Sequence, residues 1–150
     1  MKALIQRVTQ AKVIVDEQEV GAIEHGILAY IGLAPDDNLQ TAKRMIDKIL
    51  TYRIFENYND PDKAGKLDQN VQQVGGGLLL VSQFTLMAKT DKGRRPDFGA
   101  AMHPAAAEEL FAQLVAYAKT QHADIATGQF GANMQVASIN DGPLNFILEV

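Results

Sequence analysis

Gly75-Gly76-Gly77-Leu78-Leu79-Leu80-Val81-Ser82-Gln83-Phe84 is the stretch on which the fold turns. Three glycines suit a tight turn, and the aliphatic run after them reads as a buried strand with its polar residues gathered at the far end. Ile27 to Leu33 is a second near-continuous apolar run, suited to a central strand. Toward the N-terminus, Ala3 to Val8 and Ala11 to Val15 are rich in β-branched residues, and Asp16 to Glu19 supplies a polar turn before Gly21 to Ile23. Tyr52 to Phe55 reads as a short strand. Met134 to Ile139 and Leu144 to Val150 read as two closing strands, separated by Asn140-Asp141-Gly142-Pro143.

Only two segments carry helical spacing. Leu39, Ala42, Ile46 and Ile49 recur as on one helix face, with Asp36 or Asp37 as the cap. Pro104 opens the second, whose apolar face is Leu110, Phe111, Leu114, Val115 and Ala118. Asn57 to Lys66 and Lys89 to His103 read as loops. Many strands with two helices predict a layered α/β or α+β domain. The 150 residues fit one domain, 1–150, without repeats or linkers.

Composition excludes several kinds of chemistry. There is no cysteine, hence no disulfide and no thiol nucleophile. His25, His103 and His122 stand apart in the sequence with no metal-ligand spacing, and they read as solvated surface residues with no metal or cofactor to hold. The glycine triplet lacks the lysine of a phosphate loop, and no Gly-x-Ser-x-Gly elbow occurs. A net charge of −4 argues against coating DNA or RNA by bulk electrostatics. The longest apolar run is too short for a bilayer span, and the N-terminus turns polar too early for a signal peptide. The reading is a cytoplasmic protein with no membrane partner.

Two segments invite a functional reading. Strand alternation through Ser82-Gln83-Phe84-Thr85 places Ser82 and Phe84 on one side and Gln83 and Thr85 on the other. Two hydroxyls, an amide and a ring make a plausible pocket floor, although Phe and Thr also simply favour strands. Beyond them Lys89, Lys92, Arg94 and Arg95 are either a solvated cluster or a grip for phosphates beside that floor. Asp141-Gly142 is a hairpin signal, but Pro143 removes a donor where pairing should resume. One resolution is a cis Gly142-Pro143 bond that turns backbone carbonyls outward.

At these segments the chain resembles the D-aminoacyl-tRNA deacylase family. Ser82-Gln83-Phe84-Thr85 and Asn140-Asp141-Gly142-Pro143 are similar to its two signatures. Gln6-Arg7-Val8, Tyr52-Arg53-Ile54-Phe55, Asn70-Val71-Gln72-Gln73, Arg95-Pro96-x-Phe98, Thr127-Gly128-x-Phe130 and Met134-Gln135-Val136 agree with it in order along the chain. Two departures stand out: Leu144-Asn145-Phe146 after the proline, where many members have Val-Thr-Phe, and a longer loop at Asn57 to Lys66.

The resemblance implies a three-layer β/β/α fold and an obligate homodimer acting on the aminoacylated 3′ end of tRNA. It implies hydrolysis of the ester of D-aminoacyl-tRNA, with glycyl-tRNA as a second substrate, as proofreading in translation. Gly142 and Pro143 would reach into the partner's pocket, where their carbonyls reject an L side chain, and Arg7 would brace them across the dimer. Thr85 and Gln83 are the implied catalytic residues, positioning substrate while a ribose 2′-hydroxyl assists the water. Thr85 as nucleophile is the alternative, and it lacks an adjacent base. Ser82, Phe84, Phe130 and Met134 would bind substrate. Rival readings are a hydrolase of small D-amino acid esters or amides using Thr85 or Ser82, and a silent module that binds tRNA ends.

Overall fold

A computed structural model describes residues 1–150. Its centre is β1 (Lys2–Val15), one continuous strand where the sequence suggests two. Thr9 and Gln10 look like a break because they are polar and exposed, yet pairing continues past them after a shift of register. The first half of β1 pairs antiparallel with β3 (Gly26–Gly32), and the second half with β2 (Gln18–Ile23). β3 continues in parallel to β6 (Gly77–Ser82), and β6 to the short β7 (Ile125–Thr127). Gly26 and Gly77 face each other across this seam, and a Cβ on Gly26 would run into the Gly77 carbonyl. β4 (Phe55–Glu56) and β5 (Leu67–Gln69) form a separate ribbon.

The sheet curls, so that β2 comes back against β7. Alternation then serves two cores. Ile27, Ile31, Leu78 and Leu80 face the helices α1 (Leu39–Thr51) and α2 (Pro104–Gln121) within the larger core. Leu28, Leu79 and Val81 point the other way, meeting Val13 and Ile23 inside the curl. Two β layers and a helix layer result, the expected β/β/α arrangement of an α+β domain. No helix is long and apolar enough to cross a membrane.

Several local expectations need correction. The cap of α1 is Asn38, not Asp36 or Asp37: its side chain accepts from the Gln40 and Thr41 amides, while Thr41 Oγ1 accepts from the Asn38 amide. Asp37 is engaged elsewhere, accepting from the Met1 ammonium and the Ala34 amide. Leu39, placed on the apolar face by spacing, is 40% exposed at the first helical position. Tyr52 to Ile54 connects α1 to β4 and is not strand. Asn57 to Lys66 is mostly exposed, with a 3-10 turn at Pro61–Lys63.

The largest revision concerns the C-terminus. Gln135–Glu149 is a single strand, β8, paired antiparallel with β1 along its length. Asn140 to Pro143 is therefore not a hairpin turn. Gln6 pairs with Asn145 and Val8 with Asn140, so Arg7 alone stands opposite the four residues 141–144. The excess residues bulge from the ladder, as bulges do at sheet edges. β8 pairs only with β1, so its outer edge is open.

Two outcomes test these anchors. Asn38→Ala removes an N-cap and should cost about 1 kcal/mol, lowering the melting temperature by roughly 2–4 °C for a chain of this size. Asp68 accepts from Asn57 and Lys63 of the 57–66 loop, and these hydrogen bonds, with Lys63 and Arg53 nearby, hold its carboxyl below the ordinary value. Its hold on the loop is full above the ordinary carboxylate pKa and lost as pH falls through the lowered one. Asp68→Asn should therefore speed amide exchange in residues 57–66 at neutral pH, with little change elsewhere.

Candidate active site

The chain leaves β6 at Ser82. The Gln83 amide donates to the Ile31 carbonyl (2.8 Å), closing the last rung beside β3. Phe84–Met87 then forms a 3-10 turn. Strand alternation thus stops short of Thr85, which corrects the expected division of sides. Gln83 and Thr85 meet directly, with Gln83 Nε2 2.6 Å from Thr85 Oγ1. A carboxamide in either orientation is no base, so this contact orients the hydroxyl without activating it as a nucleophile.

A cavity of about 780 Å³ opens over this turn. Ser82, Gln83, Phe84, Phe130 and Met134, the substrate-binding expectations together with Gln83, all line it. Thr85 is exposed beside the cavity and linked to it through Gln83. Ile31 of β3, Leu33 just beyond it and Ala107 of α2 supply apolar wall. Phe84 and Phe98 meet edge to ring, centroids 5.0 Å apart, and both remain well exposed. An exposed aromatic pair on a cavity offers a face to a flat, π-rich ligand.

His103 also lines the cavity, and it is the only ionisable side chain that does. Reading it as an isolated surface histidine misses this. The Met102 amide donates to the Leu33 carbonyl (2.9 Å), which draws the start of α2 to the end of β3. Sequence neighbours alone give no signal of that contact.

The basic loop is built as a closed finger. Lys89 and Asp97 exchange backbone hydrogen bonds of 2.8 and 3.2 Å, and Gly99 donates to the Asp97 carboxylate. Lys89, Lys92, Arg94 and Arg95 are exposed on it, and none forms an ion pair. Their charges are free for a ligand.

Gly142, Pro143 and Arg7 lie outside this cavity. The Gly142-Pro143 bond is cis, and both residues are exposed on the bulge of β8. Arg7 is 8% exposed; its guanidinium donates to the Ile54 carbonyl (2.9 Å). Its Nε lies 2.8 Å from the Asp141 carboxylate but out of line for a hydrogen bond, so the contact is an ion pair. Within its own chain Arg7 thus contacts residue 141, next to the Gly142-Pro143 segment. Arg7 and Asp141 line a second hollow, with Glu56 and Tyr58. There the Glu56 carboxylate, which favours a phenol able to donate to it, holds the Tyr58 hydroxyl above its ordinary value. Asn145, where the chain departs from the resemblance, accepts from Gln6 Nε2 (2.7 Å). Nowhere do three or more His, Asp or Glu side chains gather as metal ligands.

Known proteins resemble the chain along its length. A family model described as D-Tyr-tRNA(Tyr) deacylase matches residues 4–149. The D-aminoacyl-tRNA deacylase of Psychrobacter arcticus is 79% identical over 100% of this chain and 99% of its own. That of Acinetobacter baumannii strain AYE is 54% identical over the same shares. Among solved structures, one titled c-Myc DNA Unwinding Element Binding Protein superposes with a TM-score of 0.93 at 36% identity, covering 100% of this chain and 99% of that one. Another, titled as a probable eukaryotic D-amino acid tRNA deacylase, shares the fold at 16% identity with a TM-score of 0.84, covering 99% of this chain and 98% of that one. By match along its whole length, the chain belongs to the D-Tyr-tRNA(Tyr) deacylase family and is an enzyme of D-aminoacyl-tRNA deacylation.

Proposed function

We propose that two copies of the chain form the working enzyme, each supplying the other's chiral filter. The observation that carries this reading is the separation of its parts. The cavity gathers Ser82, Gln83 and Phe84, whereas Gly142 and Pro143 protrude from an open sheet edge and line no part of it. Ile139 (53% exposed) and Ile147 (70%) on the same strand offer apolar surface to a second copy.

In this dimer the terminal nucleotide lies in the cavity against Phe84, Phe130 and Met134. The 142 and 143 carbonyls of the partner copy approach the substrate's α-carbon. An L side chain meets them; hydrogen or a D side chain does not, so glycyl-tRNA is cleaved as well. Rejection by fixed backbone atoms is specificity obtained from a clash.

The reaction is hydrolysis. Water oxygen adds to the ester carbonyl, the bond from that carbon to the ribose 3′-oxygen breaks, and the 3′-oxygen leaves as a hydroxyl with a proton from the water. The neighbouring ribose 2′-hydroxyl orients the water, since Thr85 is paired with an amide and not a base. The amides of Phe84 and Thr85 open the 3-10 turn and have no partner within it, so they are placed to stabilise the oxyanion. Lys89, Lys92, Arg94 and Arg95 hold backbone phosphates of the tRNA end. The work is done in the cytoplasm, where it clears tRNA of misplaced D-residues.

With D-tyrosyl-, L-tyrosyl- and glycyl-tRNA, the enzyme should release the D and glycyl groups and spare the L form. Thr85→Ala should keep most of the D-tyrosyl turnover, and its complete loss would contradict the RNA-assisted route. Arg94→Ala with Arg95→Ala should raise KM for every substrate alike and flatten the log–log salt slope by roughly 1–2 units. A changed D-over-L ratio in that variant would contradict a pure phosphate role.

A further inference from the structure

We infer that Asn140 is a positioning residue for substrate chirality, acting as the clamp that holds the 141–144 bulge closed. The inference rests on the reading of Gly142 and Pro143 as the chiral filter. A filter made of backbone carbonyls rejects only as well as those carbonyls are held. Residues 141–144 have no partners of their own in the ladder, so they sit outside its regular pairing.

The side chain of Asn140 replaces that ladder. Its Nδ2 donates to the Arg7 carbonyl at 2.9 Å and to the Leu144 carbonyl at 3.1 Å. One amide nitrogen thus ties the ladder residue just before the bulge to the last residue of the bulge and to the facing strand. Both acceptors are carbonyl oxygens, so only the NH2 end of the carboxamide can face them. Asparagine suits this position because it carries two donors on one atom, on a short arm that the half-buried site holds in place. Aspartate has the same shape and no donor.

Arg7 and Asp141 secure the start of the bulge through charge. Asn140 instead closes its base. Closing the base fixes how far Gly142 and Pro143 project, and hence the room left at the α-carbon. With the clamp open, the segment yields to an L side chain. D-substrates, which never press on it, are hydrolysed as before.

The test compares kcat/KM for D-tyrosyl- and L-tyrosyl-tRNA in Asn140→Asp, Asn140→Ala, Gly142→Ala and Asn145→Ala. Both substrates meet the same folded enzyme, so their ratio is insensitive to the folded fraction. Loss of hydrogen-bonded constraint in the Asn140 variants should raise L-hydrolysis and lower the D-over-L ratio by about tenfold. D-hydrolysis should stay near wild type. Asn145→Ala, which breaks the Gln6 contact on the same strand, should leave the ratio unchanged. In Gly142→Ala a Cβ would lie 2.9 Å from Leu144 Cγ at a φ of +114°, so the segment must shift and the ratio must fall. An unchanged ratio in both Asn140 variants, beside a collapsed one in Gly142→Ala, overturns the clamp alone. An unchanged ratio in Gly142→Ala as well overturns the chiral filter on which it rests.

Discussion

Arg7 faces four residues of β8 where a regular ladder would give it one, and the proposed chiral filter follows from that mismatch. The pairing of β1 with β8 is long enough to absorb it, since antiparallel register resumes on both sides. The buried guanidinium ties the bulge at Asp141 to the Ile54 carbonyl, behind the end of α1. Removing Arg7 would leave a buried carbonyl and a carboxylate without their partner, a change that costs more than the pair itself contributes. A long edge strand is ordinarily a hazard for unwanted association. Here the edge is the surface that the proposed second copy would use.

The cavity arises from packing rather than from an added element. Val81, Met134 and Val136 belong both to the small core inside the curled sheet and to the cavity wall. At that end the chain supplies Gly131 and Ala132 where larger side chains would complete the core. The small core is therefore left open to solvent beside Ser82, and its apolar lining continues into the site. Parallel pairing of β3 and β6 carries Ile31 and Ser82 to the same end of the sheet, side by side in register. The turn that follows Gln83 is thereby mounted on the most buried strands of the molecule.

Much of this was legible in the residues. Uninterrupted apolar runs marked β3 and β6 because both faces of those strands are covered. Both helices announced themselves by spacing, and the two signatures carried the family. What escaped has physical causes. Bulges and turns draw on the same residues, so Thr9-Gln10 and Asn140 to Pro143 read as breaks inside strands that in fact run on. Asp36, Asp37 and Asn38 are all good caps, and the long-range contact with Met1 that engages Asp37 lies beyond local sequence. β7 is too short for periodicity. The place of His103 on the cavity depends on the Met102–Leu33 hydrogen bond, which joins residues far apart in sequence.

A mixed dimer tests the division of labour between copies most directly. One chain would carry Gly142→Ala, which spoils its bulge, and the other Ala132→Trp, which fills its cavity; two affinity tags isolate the hybrid. Its only open cavity then belongs to the first chain and faces the intact bulge of the second. With filters exchanged between copies, this hybrid should hydrolyse D-tyrosyl-tRNA and spare the L form, whereas the Gly142→Ala homodimer should cleave both. A hybrid as unselective as that homodimer would show that each bulge serves its own cavity, and would contradict the exchange.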